Sequence, residues 1–483
     1  MSAPRHVGVI DIGKTNVKVA VVDLVGRREI GVLKRSNAVV AGPPYPHYDI
    51  EGHWQFLCEA LASLNADHGV DAISVTAHGA SLVLLDETGN LATPVLDYEF
   101  GGPDDLAAAY DGIRPDFAET GSPRLPVGLN VGAQLFWQFR SDPELERRVA
   151  TVLTYPQYWT FRLTGVLANE VTSLGCHTDL WNPRQEDFSS LVTNLGLQEK
   201  MAPVRKAVEC AGPLLPGIAE ATGLPPQTAV ACGIHDSNAS LLPHLLERRA
   251  PFTVLSTGTW VIALAIGGRD MPLDPARDTL INVNAFGDPV PSARFMGGRE
   301  FDLVMGDRPA GCTEPEAAAV LERQIMLFPA VEPKSGPFPG KNARWNAEET
   351  TLTPGERFAA LSFYLALMSA ECLAMIGADG PTIVEGPFSQ NLQFLAMLEA
   401  ATGRPVDTSN TSATGTSIGA ALLVAGRADP SAPKQASPIR QTEIDPRAGA
   451  YASTWRAQVA SVPFSEGTAL SAQLYRGAPG VSD

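Results

Sequence analysis

Residues 8–15 read Gly-Val-Ile-Asp-Ile-Gly-Lys-Thr, which satisfies the phosphate-binding P-loop pattern G-x-x-x-x-G-K-[ST] letter for letter. The residues around the match exclude that loop. A P-loop needs a flexible turn between its two glycines, so that backbone N–H groups wrap a phosphate, and its Gly-Lys-Thr must open a helix. Here Val9, Ile10, Asp11 and Ile12 fill the interval, and all but Asp11 are β-branched residues that favour extended backbone. Asn16-Val17-Lys18-Val19-Ala20-Val21-Val22-Asp23 follows and is again strand-like. The segment predicts strand, tight turn at residues 13–16, strand. It is a hairpin with an acid, Asp11, near the end of its first strand and Gly, Thr and Asn donors at its tip.

Strands and helices alternate beyond it, as in an α/β protein. An amphipathic helix is expected over 54–61, a short buried strand over 72–76, and strand and turn over 82–90. Helices punctuated by Pro143, Pro156 and Gly165 are expected over 133–165, a strand over 228–233 and a helix over 237–247. The second half then echoes the first: residues 252–255, 256–259 and 260–264 again read strand, Thr/Gly turn, strand. Two such hairpins suggest two similar domains closing on one polyphosphate, 1–245 and 246–483. Residues 329–357, rich in Pro, Gly and charge, read as a surface excursion. Residues 426–450 read as a loop before a last helix around 451–459.

A chain of 483 residues has room for two substantial cores. With 45% hydrophobic and 18% charged residues it belongs with globular proteins. A formal net charge of −17 argues against a nucleic-acid surface, which needs a basic footprint, but leaves room for anions held by local N–H donors or a metal. The six cysteines form no C-x-x-C pair, so a reducing cytoplasm is the natural setting. The first strand starts by about residue 6 with no visible signal peptide, and the least charged stretch, 252–268, is too short and too interrupted for a membrane span.

Chemistry concentrates in a few segments. Ala231-Cys232-Gly233-Ile234-His235-Asp236-Ser237-Asn238 delivers Asp236 from a strand to the start of a helix, either as a general base or simply as a helix N-cap. Thr76-Ala77-His78-Gly79-Ala80 leaves a strand end, where open α/β sheets place ligands. Lys14 is an exposed hairpin lysine or a phosphate contact.

Taken in order, these segments resemble the FGGY carbohydrate kinases of the sugar kinase, heat-shock chaperone and actin superfamily, over residues 5–460. Asp-Ile-Gly-x-Thr-Asn is similar to the first phosphate motif, Gly-x-His-Asp to the catalytic segment and Ser256-Thr257-Gly258-Thr259 to the second phosphate motif. Ile383-Val384-Glu385-Gly386-Pro387-Phe388-Ser389-Gln390-Asn391 resembles the adenosine-binding segment, and Gly415-Thr416-Ser417-Ile418-Gly419 the small-residue helix closing the nucleotide cleft. The resemblance implies two ribonuclease-H-like (actin-like ATPase) domains with a cleft between them, the N-terminal one binding sugar and the C-terminal one nucleotide. It implies ATP and Mg²⁺ as cofactors, with Asp236 taking the proton of the attacking sugar hydroxyl. Gly13, Lys14, Thr15, Asn16, Thr257, Gly258, Thr259, Gly386, Asn391 and Gly415 are expected at the nucleotide. His78, Gly79, Asp97 and Asp236 are expected at the sugar, and Asp11 and Asp236 at the metal.

The hairpin and the Gly-x-His-Asp segment look closer to rhamnulose- and fuculose-type kinases than to glycerol kinases. A ketose acceptor is expected, a 6-deoxyketohexose or ketopentose phosphorylated on a terminal hydroxyl. Neither nucleic acid nor membrane is implied as a partner, and a homodimer is left open. The chain departs from the family at Pro387, which lacks a backbone N–H, at Glu99, where many relatives have Arg, and at Gln134, where Lys is usual. The rival is a non-catalytic, regulatory or chaperone-like ATP binder. No segment long enough for a peptide-binding domain follows residue 425, and Asp236 argues for catalysis.

Overall fold

The computed structural model describes residues 4–408, 415–425 and 444–461. The chain divides into two compact units. The first comprises Met1–Arg248 with Ile281–Val290 and Thr414–Lys434; the second comprises Arg249–Leu280, Pro291–Ala413 and Gln435–Asp483.

In the first unit β1 (His6–Ile12), β2 (Asn16–Asp23) and β3 (Arg28–Ser36) form an antiparallel meander. β4 (Ala72–Ala77) pairs parallel with β1. β5 (Cys210–Pro213), β6 (Ala229–Ala231) and β7 (Ile234–His235) complete seven strands, with β6 and β7 both parallel to β4. Residues 16–23 are therefore strand, and the apparent P-loop is a hairpin. Both faces of its strands are buried, which is why the segment is apolar almost throughout rather than alternating. Ile10, Val17 and Val19 join Leu57 and Leu61 of the helix Ile50–His68 and Trp159 of the helix Tyr155–Thr164. Val7, Val9 and Val22 pack instead with Leu242 and Ala420, from the helices Asp236–Glu247 and Gly415–Leu422.

The second unit repeats the plan. β8 (Phe252–Thr257) and β9 (Val261–Ile266) form a hairpin, β10 (Thr279–Val283), which passes into the first unit at Ile281, is the strand beyond β11 (Pro289–Phe295), β11 pairs antiparallel with β9, and β12 (Thr382–Glu385) and β13 (Val406–Asp407) run parallel to β8 on its other side. A hairpin flanked on one side by a further antiparallel strand and on the other by a parallel one thus occurs twice, as two ribonuclease-H-like domains of the actin-like ATPase fold require. The stretch 252–268 is two strands and their turn.

The sheet of the second unit is covered by the helix Pro354–Met375, started by a reciprocal capping box between Thr353 and Glu356. By length and composition it could cross a membrane, but 78% of its apolar window is buried, as befits a central core helix.

Three expectations are corrected. Pro156 does not break a helix: it sits in the first turn of Tyr155–Thr164, where its missing N–H has no partner to lose. The strand Thr151–Thr154, antiparallel to Leu82–Leu85, was hidden because four residues between helices show no period. Residues 329–357 are not simply a surface excursion. Ala330, Val331 and Glu332 are buried, the Glu332 and Gly336 N–H groups donate to Glu300 and Asp278, and Pro354 already opens a helix. The loop expected over 426–450 lies outside the described residues up to 443, and the last helix is Ala448–Ser461.

Candidate active site

Strand register brings the site of the first unit together. Asp11 and Ile234 both stand level with Thr76 of β4, and Ile12 and His235 level with Ala77. Asp236 and His78 are each the next residue, at the carboxyl ends of parallel strands, where the sheet leaves room for ligands. The His78 N–H donates to Ile12 O, 2.9 Å away, tying the two strand ends.

The hairpin tip is tight. Gly13 N–H donates to Asn16 O at 2.9 Å, while Thr15 and Asn16 are exposed. Asn37 was missed by the sequence reading, yet it holds this tip. Its amide donates to Gly13 O at 2.8 Å, its own N–H to Thr15 O, and its Oδ1 accepts from His53 Nε2 at 2.7 Å.

Asp236 is the first residue of its helix, and His235 occupies the N-cap position. The Asp236 carboxylate therefore does not cap in the usual way; Oδ1 accepts from Ser237 N at 2.6 Å. A third of the side chain is reachable by water, but protein crowds it, and this desolvation raises its pKa against the lowering effect of nearby His78. His235 is buried and, with its pKa lowered to about 4 by desolvation, neutral. Its Nδ1 lies 3.4 Å from the Asn238 amide nitrogen, a donor, which assigns the ring proton to Nε2. Nε2 has its hydrogen-bond partner in Cys176 Sγ at 3.4 Å, and it stands 3.3 Å from Asp236 Oδ1, so the neutral ring packs beside the carboxylate. His235 is in turn held by Thr172 Oγ1, which accepts its N–H at 3.0 Å and donates to Glu170 at 2.6 Å. Burial pushes Glu170 up to about 7. Gly79 is needed here because a Cβ would come within 2.7 Å of His235 Nε2.

His78 is buried among the rings of Tyr48, Tyr98 and Tyr155, with centroids 5.0–5.3 Å away. Desolvation lowers its pKa to about 4, so the ring is neutral. Its Nδ1, 2.8 Å from Gly79 O, must carry the proton, since a carbonyl only accepts. Nε2 is thus a buried acceptor with no partner among the described residues, an arrangement costly unless a ligand hydroxyl completes it.

Asp97 is buried and accepts from Tyr48 Oη at 3.1 Å. Lys14 pairs with Asp97 and, at 3.1 Å, with Glu99, and its ammonium stands 4.7 Å from the Tyr98 ring centre. Lys14, expected at the nucleotide, is engaged here with the side chains expected at the sugar. Gln134 donates to Ala80 O at 2.6 Å and to Gly128 O, holding the loop after His78.

Asp11 is paired with Lys18 at 3.1 Å, while burial and the charge of Asp236 raise its pKa. Among the described residues no group of three or more His, Cys, Asp or Glu could cage a metal. Two mutually repelling carboxylates do fit Mg²⁺, which takes most of its ligands from water and phosphate and needs only one or two from protein.

In the second unit the β8–β9 turn carries Thr257, Gly258 and Thr259, and Gly386 follows β12. The Thr257 hydroxyl accepts from Phe388 N at 3.1 Å and donates to Glu385 O, pinning the two loops together. Gly386 has φ 79°, and a Cβ there would collide with Thr257 O. Pro387 starts a short 3₁₀ turn, where it has no N–H to lose. Asn391 caps the helix Leu392–Thr402 by accepting from Phe394 N, and its amide donates to Ser362 at 2.8 Å, so both ends are used structurally. The structure also brings Gly298 against this turn, since a Cβ on it would overlap Gly258 O. Gly415 belongs to the first unit, where its neighbour Thr416 hydrogen-bonds Ser240 of the Asp236 helix at 2.8 Å.

Residues 6–243 match the N-terminal domain of the FGGY family of carbohydrate kinases, and residues 249–433 match the C-terminal domain of carbohydrate kinase FGGY. A carbohydrate kinase from Novosphingobium aromaticivorans of known structure is 36% identical, with a TM-score of 0.86 over 95% of this chain and 99% of its own. The xylulose kinase of Lactobacillus acidophilus, 15% identical with a TM-score of 0.75 over 94% of this chain and 97% of its own, shares the fold. Among curated relatives, the L-fuculokinase of Salmonella typhi is 26% identical over 271 residues, 54% of this chain and 56% of that protein. The xylulose kinase of Bacillus subtilis is 26% identical over 240 residues, 48% of each. The chain spans about half the length of the curated relatives it matches.

Proposed function

Since the chain belongs to the FGGY family of carbohydrate kinases, we propose that it transfers the γ-phosphate of ATP to a terminal hydroxyl of a ketose, a 6-deoxyketohexose or ketopentose. The observation that carries this reading is the pairing of Asp236 with His78. One is a carboxylate whose proton affinity is raised by burial; the other is a buried imidazole acceptor left open on the same strand ends. A raised pKa makes Asp236 a stronger base than a free aspartate, and the proton it accepts is that of the attacking hydroxyl. The Ser237 N–H aims the carboxylate, His78 and Asp97 accept from neighbouring sugar hydroxyls, and Tyr48 keeps Asp97 in place. Phosphoryl transfer demands mainly positioning and charge stabilisation. Gly13, Thr15 and Asn16 on one hairpin, and Gly258 and Thr259 on the other, offer donors for phosphate oxygens. Asp11 and Asp236 would hold Mg²⁺ through its water shell, and the ion would offset phosphate charge. None of the six cysteines is in a disulfide, which agrees with a cytoplasmic setting.

ADP release measured across neutral ketoses, aldoses and polyols tests this. A ketose-dependent rise well above the ATPase background is expected. ATP binding with turnover indifferent to every acceptor would replace the kinase with a regulatory ATP binder.

A further inference from the structure

We propose that Glu99, acting with Lys14 and Asp97, makes the acceptor site reject anionic sugars and select neutral polyhydroxy ones. This rests on the kinase reading above and adds the residue that sets the charge class of the acceptor. Lys14 is one ammonium shared by two carboxylates, buried Asp97 and exposed Glu99, whose side chain is 62% exposed. That end of the site therefore carries a net charge of −1, and it is joined to the catalytic end. Tyr98 lies between them, its ring 5.3 Å from His78 and under the Lys14 ammonium, with its hydroxyl pushed up to about 12 by burial and by the charges of Glu99, Asp236 and Asp97. Lys18, on the same hairpin as Lys14, is taken up by Asp11 and Glu29 and does not cancel the excess. A neutral hydroxyl chain can donate to Asp97 and Glu99. A carboxylate at the same place would be left facing them with Lys14 already shared. An arginine in place of Glu99 would invert that balance.

The test uses the full chain, the best neutral ketopentose, and its ulosonate, in which the terminal CH₂OH far from the phosphorylated hydroxyl is a carboxylate. The readout is the ratio of kcat/KM for the two, in the wild type, Glu99→Gln, Glu99→Arg and the exposed control Glu87→Gln. One unit charge about 7 Å away at an effective dielectric near ~35 is worth on the order of tenfold. The wild type should prefer the neutral acceptor by at least about tenfold, and Glu99→Gln should narrow the preference by about that factor. Glu99→Arg should narrow it further, and Glu87→Gln should move it less than about twofold. High salt should narrow the wild-type ratio without any substitution, since the position is open to ions. An unchanged ratio in both Glu99 variants, an equal shift in Glu87→Gln, or a wild type that takes the ulosonate equally well overturns the inference and leaves the kinase standing. Absence of turnover with every acceptor overturns the kinase reading, and this inference with it.

Discussion

Replacing Asp236 by Asn separates catalysis from structure, because the structure says what each atom of the carboxylate does. Oδ1 accepts from Ser237 N at 2.6 Å, with neutral His235 Nε2 3.3 Å away, and an asparagine Oδ1 can accept the same N–H. The helix is not uncapped, since His235 holds the N-cap position. Removing a charge that burial disfavours should leave stability equal or higher at neutral pH. The sign follows from linkage: a carboxyl with a raised folded pKa binds more protons folded than unfolded, so wild-type stability falls as pH rises above 3.8, and the Asn variant lacks that loss. The chemistry should suffer much more. Loss of a positioned base costs about 10²–10⁴ in kcat, or roughly 3–5 kcal/mol of barrier. KM for sugar and for Mg·ATP should change little, because the lost interaction belongs to the transition state. The acid limb of the kcat/KM profile, which in the wild type reports deprotonation of Asp236 above pH 3.8, should vanish from the residual activity. Calorimetric melting, coupled ADP release and a pH profile suffice. A folded Asp236→Asn enzyme turning over its best ketose near the wild-type rate would refute the mechanism.

Other outcomes follow from single contacts. His78→Phe keeps the aromatic packing but removes both the open Nε2 and the Nδ1–H donated to Gly79 O, two changes of opposite sign, so stability should move by less than about 1 kcal/mol while KM for the ketose rises at least about tenfold; an unchanged KM would count against the open acceptor. Gly419→Ala places a Cβ on the Ala239 carbonyl where two helices of the first unit meet, and should cost about 1–3 kcal/mol by chemical denaturation; a silent substitution would refute that packing. Glu300 is buried against Tyr364 Oη at 3.0 Å and pushed up to about 8 by desolvation, so it is a liability once ionised. Wild-type stability should fall relative to Glu300→Gln as pH climbs from 4.5 to about 8, and melting curves that stay parallel over that window would contradict the burial.

Local chemistry made several elements legible in the amino-acid order alone. A β-branched run inside an apparent P-loop can only be strand, and the repeated Thr/Gly turn at 256–259 announces a second copy of the same hairpin. Strand, turn and helix signals around Asp236 placed that acid at a strand end. Those are short-range properties, set by steric preference and by turn chemistry within a few residues. Long-range contacts decided the rest. Whether Asp236 caps its helix depended on His235, whose orientation comes from Asn238 nearby and from Thr172 and Glu170 more than sixty residues earlier. Lys14 could be a phosphate ligand or a solvated lysine by sequence, but Asp97 and Glu99, eighty residues away, draw it to the sugar side. The hairpin tip is held by Asn37, a residue with no motif around it. Gly415, read with the nucleotide segments by its place in the chain, belongs by packing to the helix of Asp236. Hydrogen bonds and ion pairs across such separations form only once the strands are in register, so no local pattern in the chain could announce them.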